Sequence, residues 1–413
     1  MATPNYKLTR LTCFFSYITA AAAFSLPPLL FMTFREMYGI TYTMLGTLVL
    51  VNFCTQLGID LIFSFFTKYF NIKLSTMAMP LLTTFGLGVY ALSPVLFPNN
   101  VYLGLLIGTV LFSFASGFGE VLISPIVAAI PSEHPDRDMS LLHSLYAWGV
   151  LSVVIISTIF FNLFDAKYWM YLAGFFALLP IITFLLFAIS PIPDLELGNK
   201  KTDSSSAKKR TVGLALCAAC IFLGSAAENV MTNWISGYVE RVLGVSKQYG
   251  DILGLALFAL LLGAGRTIYA KIGKNITNTL LFGMISSVAC YLTAALCDIP
   301  VVALLACILT GLCTSLLWPG TLILMEEKIV NPGVAAYALM AAGGDFGASV
   351  APQLLGVIAD KVTVSSFAQK MAESMSVSPD QIGLKAGMLI TALFPLLGIA
   401  VILIIKRYFT KKT

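Results

Sequence analysis

Charge is what this sequence has least of. Asp, Glu, Lys and Arg make up 11% of its 413 residues, less than half of the roughly 25% usual in soluble globular domains. Mean hydropathy is +0.89 and 58% of residues are hydrophobic, so the chain reads as an all-α polytopic membrane protein. That reading leaves no place for a nucleic-acid partner. Histidine is scarce, with two residues. The eight cysteines (13, 54, 217, 220, 290, 297, 307 and 313) all fall in apolar segments, so neither a disulfide framework nor a zinc spacing is implied. Cys217-x-x-Cys220 has redox-motif spacing, but inside an apolar helix it reads as packing. No metal or cofactor is called for. The first apolar run, 11–34, is too long for a signal-peptide core and reads as the first span.

Apolar windows separated by turns or charges give twelve spans. They are placed at 11–34, 41–67, 74–97, 101–130, 139–161, 168–190, 211–239, 249–270, 277–297, 301–325, 334–360 and 386–405. The polar, Ser/Lys-rich stretch 191–210 separates two groups of six. The expected domains are therefore a bundle at 1–190, a linker at 191–210 and a second bundle at 211–413. With the N-terminus in the cytosol, 18 of the 25 basic residues collect on the inner side. This bias predicts a multi-pass protein of the cell membrane with both termini cytoplasmic. The sequon Asn275-Ile-Thr277 then lies on a cytosolic loop, where it is not glycosylated. A stretch at 365–375, between the last two spans, is read as a connector. The halves also repeat: a shift of 194 sets Gly117 on Gly311, Pro125 on Pro319, Ala147 on Ala341 and Gly149 on Gly343. A shift of 205 sets Gly39 on Gly244, Thr41 on Ser246 and Gly58 on Gly263. Duplicated bundles with a site between them describe the major facilitator architecture.

Charges inside spans are costly to insert and mark function. Glu120 is the single charge in 101–130, on a stripe with Thr109, Ser113, Ser116 and Ser124 at helical spacing. Glu228 shares a face with Ser225, Asn229, Thr232 and Asn233, beside Trp234, and Asp345 heads Asp345–Ser349–Gln353. The candidate substrate and proton-coupling residues are thus Glu120, Glu228, Asp345, Asn229, Asn233, Ser116 and Ser124. Trp148, Trp234, Trp318 and Tyr337 are candidate aromatic platforms for a sugar ring or a cation. Asp60, on Asn52–Gln56–Asp60, reads as a gating or structural acid. His143, at the start of the fifth span, and Arg266, at the inner end of the eighth, are the other gating candidates. Asp251 reads as an interfacial helix-start acid. No Lys or Arg lies mid-span, which disfavours anionic substrates. An intramembrane acid suits a proton carrier.

Twelve spans, cytosolic termini and a basic central linker resemble the major facilitator superfamily over nearly the whole chain. Glu120 followed by Pro125, after Gly117-x-Gly119, is similar to the fourth helix of fucose-permease-type sugar:proton symporters. In that group the matching glutamate is implicated in substrate binding and proton coupling. The third, sixth, ninth and twelfth helices stand outside the cavity there, and those spans carry no acid here. The chain departs from the group in having no acid in its first span. It departs from the superfamily in its degenerate loop SFFTKYFNIK after the second span, whereas the matching loop of the second half keeps Gly265-Arg266. The resemblance implies a secondary transporter rather than an enzyme, working as a monomer by alternating access. A small neutral polar solute would move with protons, sodium being possible. The alternative is a proton-driven exporter of cationic or lipophilic compounds. Two rivals from other classes are a non-transporting sensor built on the same fold and an intramembrane aspartyl protease, the latter on Gly343-Gly344-Asp345, though Ala342 stands where its first glycine is required.

Overall fold

The computed structural model describes residues 6–66, 70–133, 135–193, 207–329 and 333–410. Every regular element among them is helical. In membrane only helices or closed barrels satisfy the backbone internally, so an apolar chain without strands has no other solution. The long helices are α1 (Lys7–Tyr38), α2 (Tyr42–Phe66), α3 (Ile72–Ala91), α4 (Val101–Ala129), α5 (Pro135–Leu163) and α6 (Trp169–Ile189). After the linker come α7 (Ala207–Arg241), α8 (Leu257–Ile272), α9 (Ile276–Leu296), α10 (Pro300–Thr314), α11 (Pro319–Lys328) and α12 (Gly333–Thr363). The chain closes with α13 (Ser366–Met375), α14 (Pro379–Thr391) and α15 (Leu393–Thr410). Helices α10 and α11 make one span, as do α14 and α15, and a π-helical turn, Asp251–Ala256, leads into α8.

Ten segments among the described residues are long and apolar enough to cross a membrane. The fifth span, α5, contains the shorter apolar stretch Trp148–Leu163 within its 29 residues, and the eleventh, α12, runs 31 residues. Together these are the twelve predicted spans. The connector expected at 365–375 is a helix, α13, capped by the Ser365 hydroxyl on the amide of Ala368. Of the predicted linker, 194–206 lies outside the described residues, and its end is already the first turn of α7.

The chain divides into two compact units, 1–39 with 51–198, and 40–50 with 199–413. The expected boundary between bundles is therefore crossed by one piece: the first turns of α2 belong with the second unit. In the first unit α3 packs on α4 and α6, and α1 on α5 and α6. Trp169 is fully buried there among Phe34, Tyr38 and Tyr90, and donates its indole N–H to the Tyr38 hydroxyl at 3.1 Å. In the second, α7 packs on α12 and α15, and α9 on α10. Cys220, Leu280, Met284, Leu317 and Ile402 form its core, and the Cys217-x-x-Cys220 pair is buried and free.

The repeat seen in sequence reappears in the internal packing of each unit. Gly39 and Gly244 both follow the first long helix of their half with positive φ, 64° and 68°, a conformation that favours glycine. A Cβ on Gly117 would meet Ile59 and the Gln56 carbonyl, bringing α4 against α2, while one on Gly311 would meet the Phe258 carbonyl, bringing α10 against α8. Gly149 lies against Ile18 of α1 and Gly343 against Ala218 of α7 in the same corresponding way. Gly311→Val is expected to destabilise the protein by about 1–3 kcal/mol, because a backbone carbonyl cannot move aside. Thermal unfolding of the purified protein checks this, and an unchanged melting temperature would contradict the close approach.

Candidate functional site

The first unit gathers its polar residues on α2 and α4. Gly117 lets the two helices touch, and one turn away on each stand Glu120 and Asp60. Their carboxylate oxygens lie within 4.8 Å of one another. Glu120 is exposed and Asp60 nearly buried, at 9%. Beneath them, buried Ser113 donates to the Asn52 side-chain oxygen at 2.6 Å, and Gln56 donates to the same oxygen at 3.1 Å. Thus α2 presents Asn52, Gln56 and Asp60 to the Glu120 stripe. Asp60, expected as a gating or structural acid, lies beside Glu120. Two like charges this close repel, and a single proton taken up by the pair relieves that repulsion.

One turn further along α4, Ser124 shares a hydrogen bond of 3.2 Å with the Tyr17 hydroxyl on α1. Tyr17 thus joins the candidate face, a place the sequence did not mark, since a tyrosine in an apolar span carries no signal of its own. Ser116 spends its hydroxyl on the Phe112 carbonyl at 2.9 Å. Trp148 is 59% exposed on α5, and the side chain of His143 lies outside the described residues.

In the second unit, Arg266 donates to both carboxylate oxygens of Glu228, at 3.1 and 3.4 Å. Its Nε donates to the Ser315 carbonyl at 3.0 Å. That carbonyl is available because Pro319, four residues on, has no N–H to close the helical bond. Gly265 removes the side chain that would keep α8 away from Ser315. Arg266 was expected as an inner-end gating residue, yet it neutralises a mid-span acid. Its length lets it reach from the helix end, which spacing alone does not reveal. The pair is partly open, with the Arg266 side chain 40% exposed and that of Glu228 14%.

Asn229 and Asn233 donate their amides to the carbonyls of Ser225 and Asn229, at 3.1 and 2.9 Å, one helical turn back. Trp234 is fully buried: its N–H donates to the Pro352 carbonyl at 3.1 Å, and its ring meets Tyr42 edge-on at 5.8 Å. It is a packing residue, against the expectation of a substrate platform. Trp318, at the break before α11, lays its ring on Gly344, next to buried Asp345. The Tyr337 hydroxyl donates to Glu326, at the end of α11. Asp251, at the helix start as expected, is 1% exposed in the π-helical turn, where Ser236 donates to it and Lys247 lies 3.8 Å away.

The first turn of α2 is fastened within this second unit. The amides of Tyr42 and Thr43 donate to Asp360 at 3.0 and 2.6 Å, and the Tyr42 hydroxyl donates to Asp380 at 3.2 Å. Thr47 donates to Gln353 at 3.3 Å. A carboxylate on the orphan amides of a helix start satisfies them and complements the helix dipole. Asp360→Ala is expected to cost about 1–2 kcal/mol. Hydrogen exchange at residues 42–45 should quicken in that variant, and unaltered exchange would show that the carboxylate does not hold the turn.

A family model described as Major Facilitator Superfamily matches residues 12–352. The chain belongs to that superfamily. Among solved structures, a bacterial homologue of the human lysosomal transporter Spinster, inward-facing and occupied, aligns with TM-score 0.74 at 13% identity, covering 100% of this chain and 99% of that one. A D-xylose–proton symporter aligns with TM-score 0.72 at 14% identity over 95% and 97% of the chains. The E. coli fucose:proton symporter aligns with TM-score 0.58 at 14% identity over 98% and 100%. Identities this low establish the fold alone. No curated protein matches the sequence. Members of the superfamily are membrane-embedded carriers of small molecules, and this chain is a transporter, not an enzyme.

Proposed function

We propose that this transporter moves a small, neutral, polar solute of the sugar class together with protons, by alternating access. The observation that carries the reading is the Asp60–Glu120 pair, two carboxylates within 4.8 Å on a face otherwise built of Ser, Asn and Gln. A proton shared by such a pair can be taken up on one side of the membrane and released on the other. The surrounding hydroxyls and amides suit a solute that hydrogen-bonds without charge. Sugar–proton symporters among the structural neighbours support the same class. Glu228 is already matched by Arg266, so an unpaired acid for a cationic compound is not offered there, which weighs against the exporter. The basic bias of the loops supports a cell-membrane protein with cytosolic termini.

The test is uptake into proteoliposomes under an imposed inward proton gradient, comparing neutral hexoses and pentoses with cationic dyes. Gradient-driven accumulation of a neutral sugar is expected. Dye movement against the gradient with every sugar inert would overturn the reading.

A further inference from the structure

At the start of α9, a cavity of about 200 Å³ is lined by Asn275, Thr277, Asn278, Lys328, Ile405, Lys406 and Phe409. It lies far in sequence from the acids described above, and transport as proposed makes no use of it. Three chain segments build it: the first turn of α9, the end of α11 and the last turns of α15. Its size is small against the 300–1,000 Å³ of sites that enclose a whole small molecule. The space suits one compact group. Its lining says which kind.

Lys328 and Lys406 both line it, and Lys406 donates to the Asn278 side-chain oxygen at 3.3 Å. The amides that open a 21-residue helix add their partial positive charge. Asn275 already caps that helix through the amide of Asn278, at 3.2 Å, so its side chain is spent locally. The opposing charge is Glu327, 3.8 Å from Lys328 and half-exposed to solvent, with Glu326 beside it. The remaining wall is apolar, Ile405 and Phe409, and leads along α15 past exposed Leu403 and Ile404. Both α9 and α15 are membrane-crossing segments ending at this level, so the cavity opens where the hydrocarbon meets the headgroups.

We infer that this cavity is a binding site for a phosphate-bearing anion, with the headgroup of an anionic phospholipid as its source. The lysines and helix start hold the phosphodiester, while the acyl chains run past Phe409 along the exposed Leu403 and Ile404 of α15. On the orientation proposed above, that lipid belongs to the cytosolic leaflet. The same chemistry would accept free phosphate, and the test separates the two.

The purified full-length protein would be followed by native mass spectrometry and thermal unfolding with phosphatidylglycerol, phosphatidylethanolamine or inorganic phosphate. Retained phosphatidylglycerol adducts and a raised melting temperature are expected, neither being produced by phosphatidylethanolamine. Lys328→Gln with Lys406→Gln should weaken phosphatidylglycerol binding on the order of tenfold or more. Lys167→Gln with Lys370→Gln, neither of which lines the cavity, should leave it unchanged. Stabilisation by inorganic phosphate that is lost in the first double variant would keep the anion site and reassign its source to soluble phosphate. Equal binding of both lipids, or adducts that survive the first double variant, would overturn the inference.

Discussion

Arg266→Met is expected to destabilise the second unit by about 3 kcal/mol and to stop transport. The substitution leaves Glu228, largely buried, with its charge uncompensated. Removing one member of a buried pair costs about 3–5 kcal/mol, and the low end applies because water reaches the half-open arginine. The Ser315 carbonyl also loses its donor at the Pro319 break, the helical partner being absent there. Glu228→Gln together with Arg266→Met should recover most of the stability, since a neutral pair needs no countercharge. Thermal unfolding of wild type, both singles and the double variant closes the cycle. A single Arg266→Met that melts like wild type would mean the ion pair seen at 3.1 Å contributes nothing.

Glu120→Gln and Asp60→Asn should each abolish solute accumulation while leaving solute exchange running. With one proton per solute, each unit of pH gradient is worth about tenfold accumulation, and both variants should fall to none. Counterflow, which needs no net proton movement, should survive in both. The equivalence of the two is what the geometry predicts, because a shared proton is lost whichever carboxyl is removed. If only Glu120→Gln abolished accumulation, Asp60 would be the structural acid that its sequence position suggested.

Periodicity exposed what lies along one helix and missed what joins two. The α4 stripe was legible because its residues recur at three and four, and a lone acid in 101–130 is conspicuous. Twelve spans were legible because length and hydropathy are local properties. The proximity of Asp60 to Glu120 was not legible because the two acids are on different helices, brought together at the contact that Gly117 permits. Arg266 was placed by its Cα, whereas its guanidinium acts several ångströms away. Asp360 fastens amides 318 and 317 residues distant in sequence, and no local pattern records such a link. Trp234 had the right neighbours for a ligand platform, yet its N–H was already taken by Pro352. Aromatic residues in a membrane chain announce bulk, not role.

The most direct measurement is proton movement accompanying solute entry, read with a pH-sensitive dye inside proteoliposomes that hold no imposed gradient. Adding the transported sugar should acidify the interior in proportion to uptake for wild type. With Glu120→Gln no acidification should follow. Sugar entering wild-type liposomes with no change in internal pH would contradict the account, since the Asp60–Glu120 pair would then carry no proton.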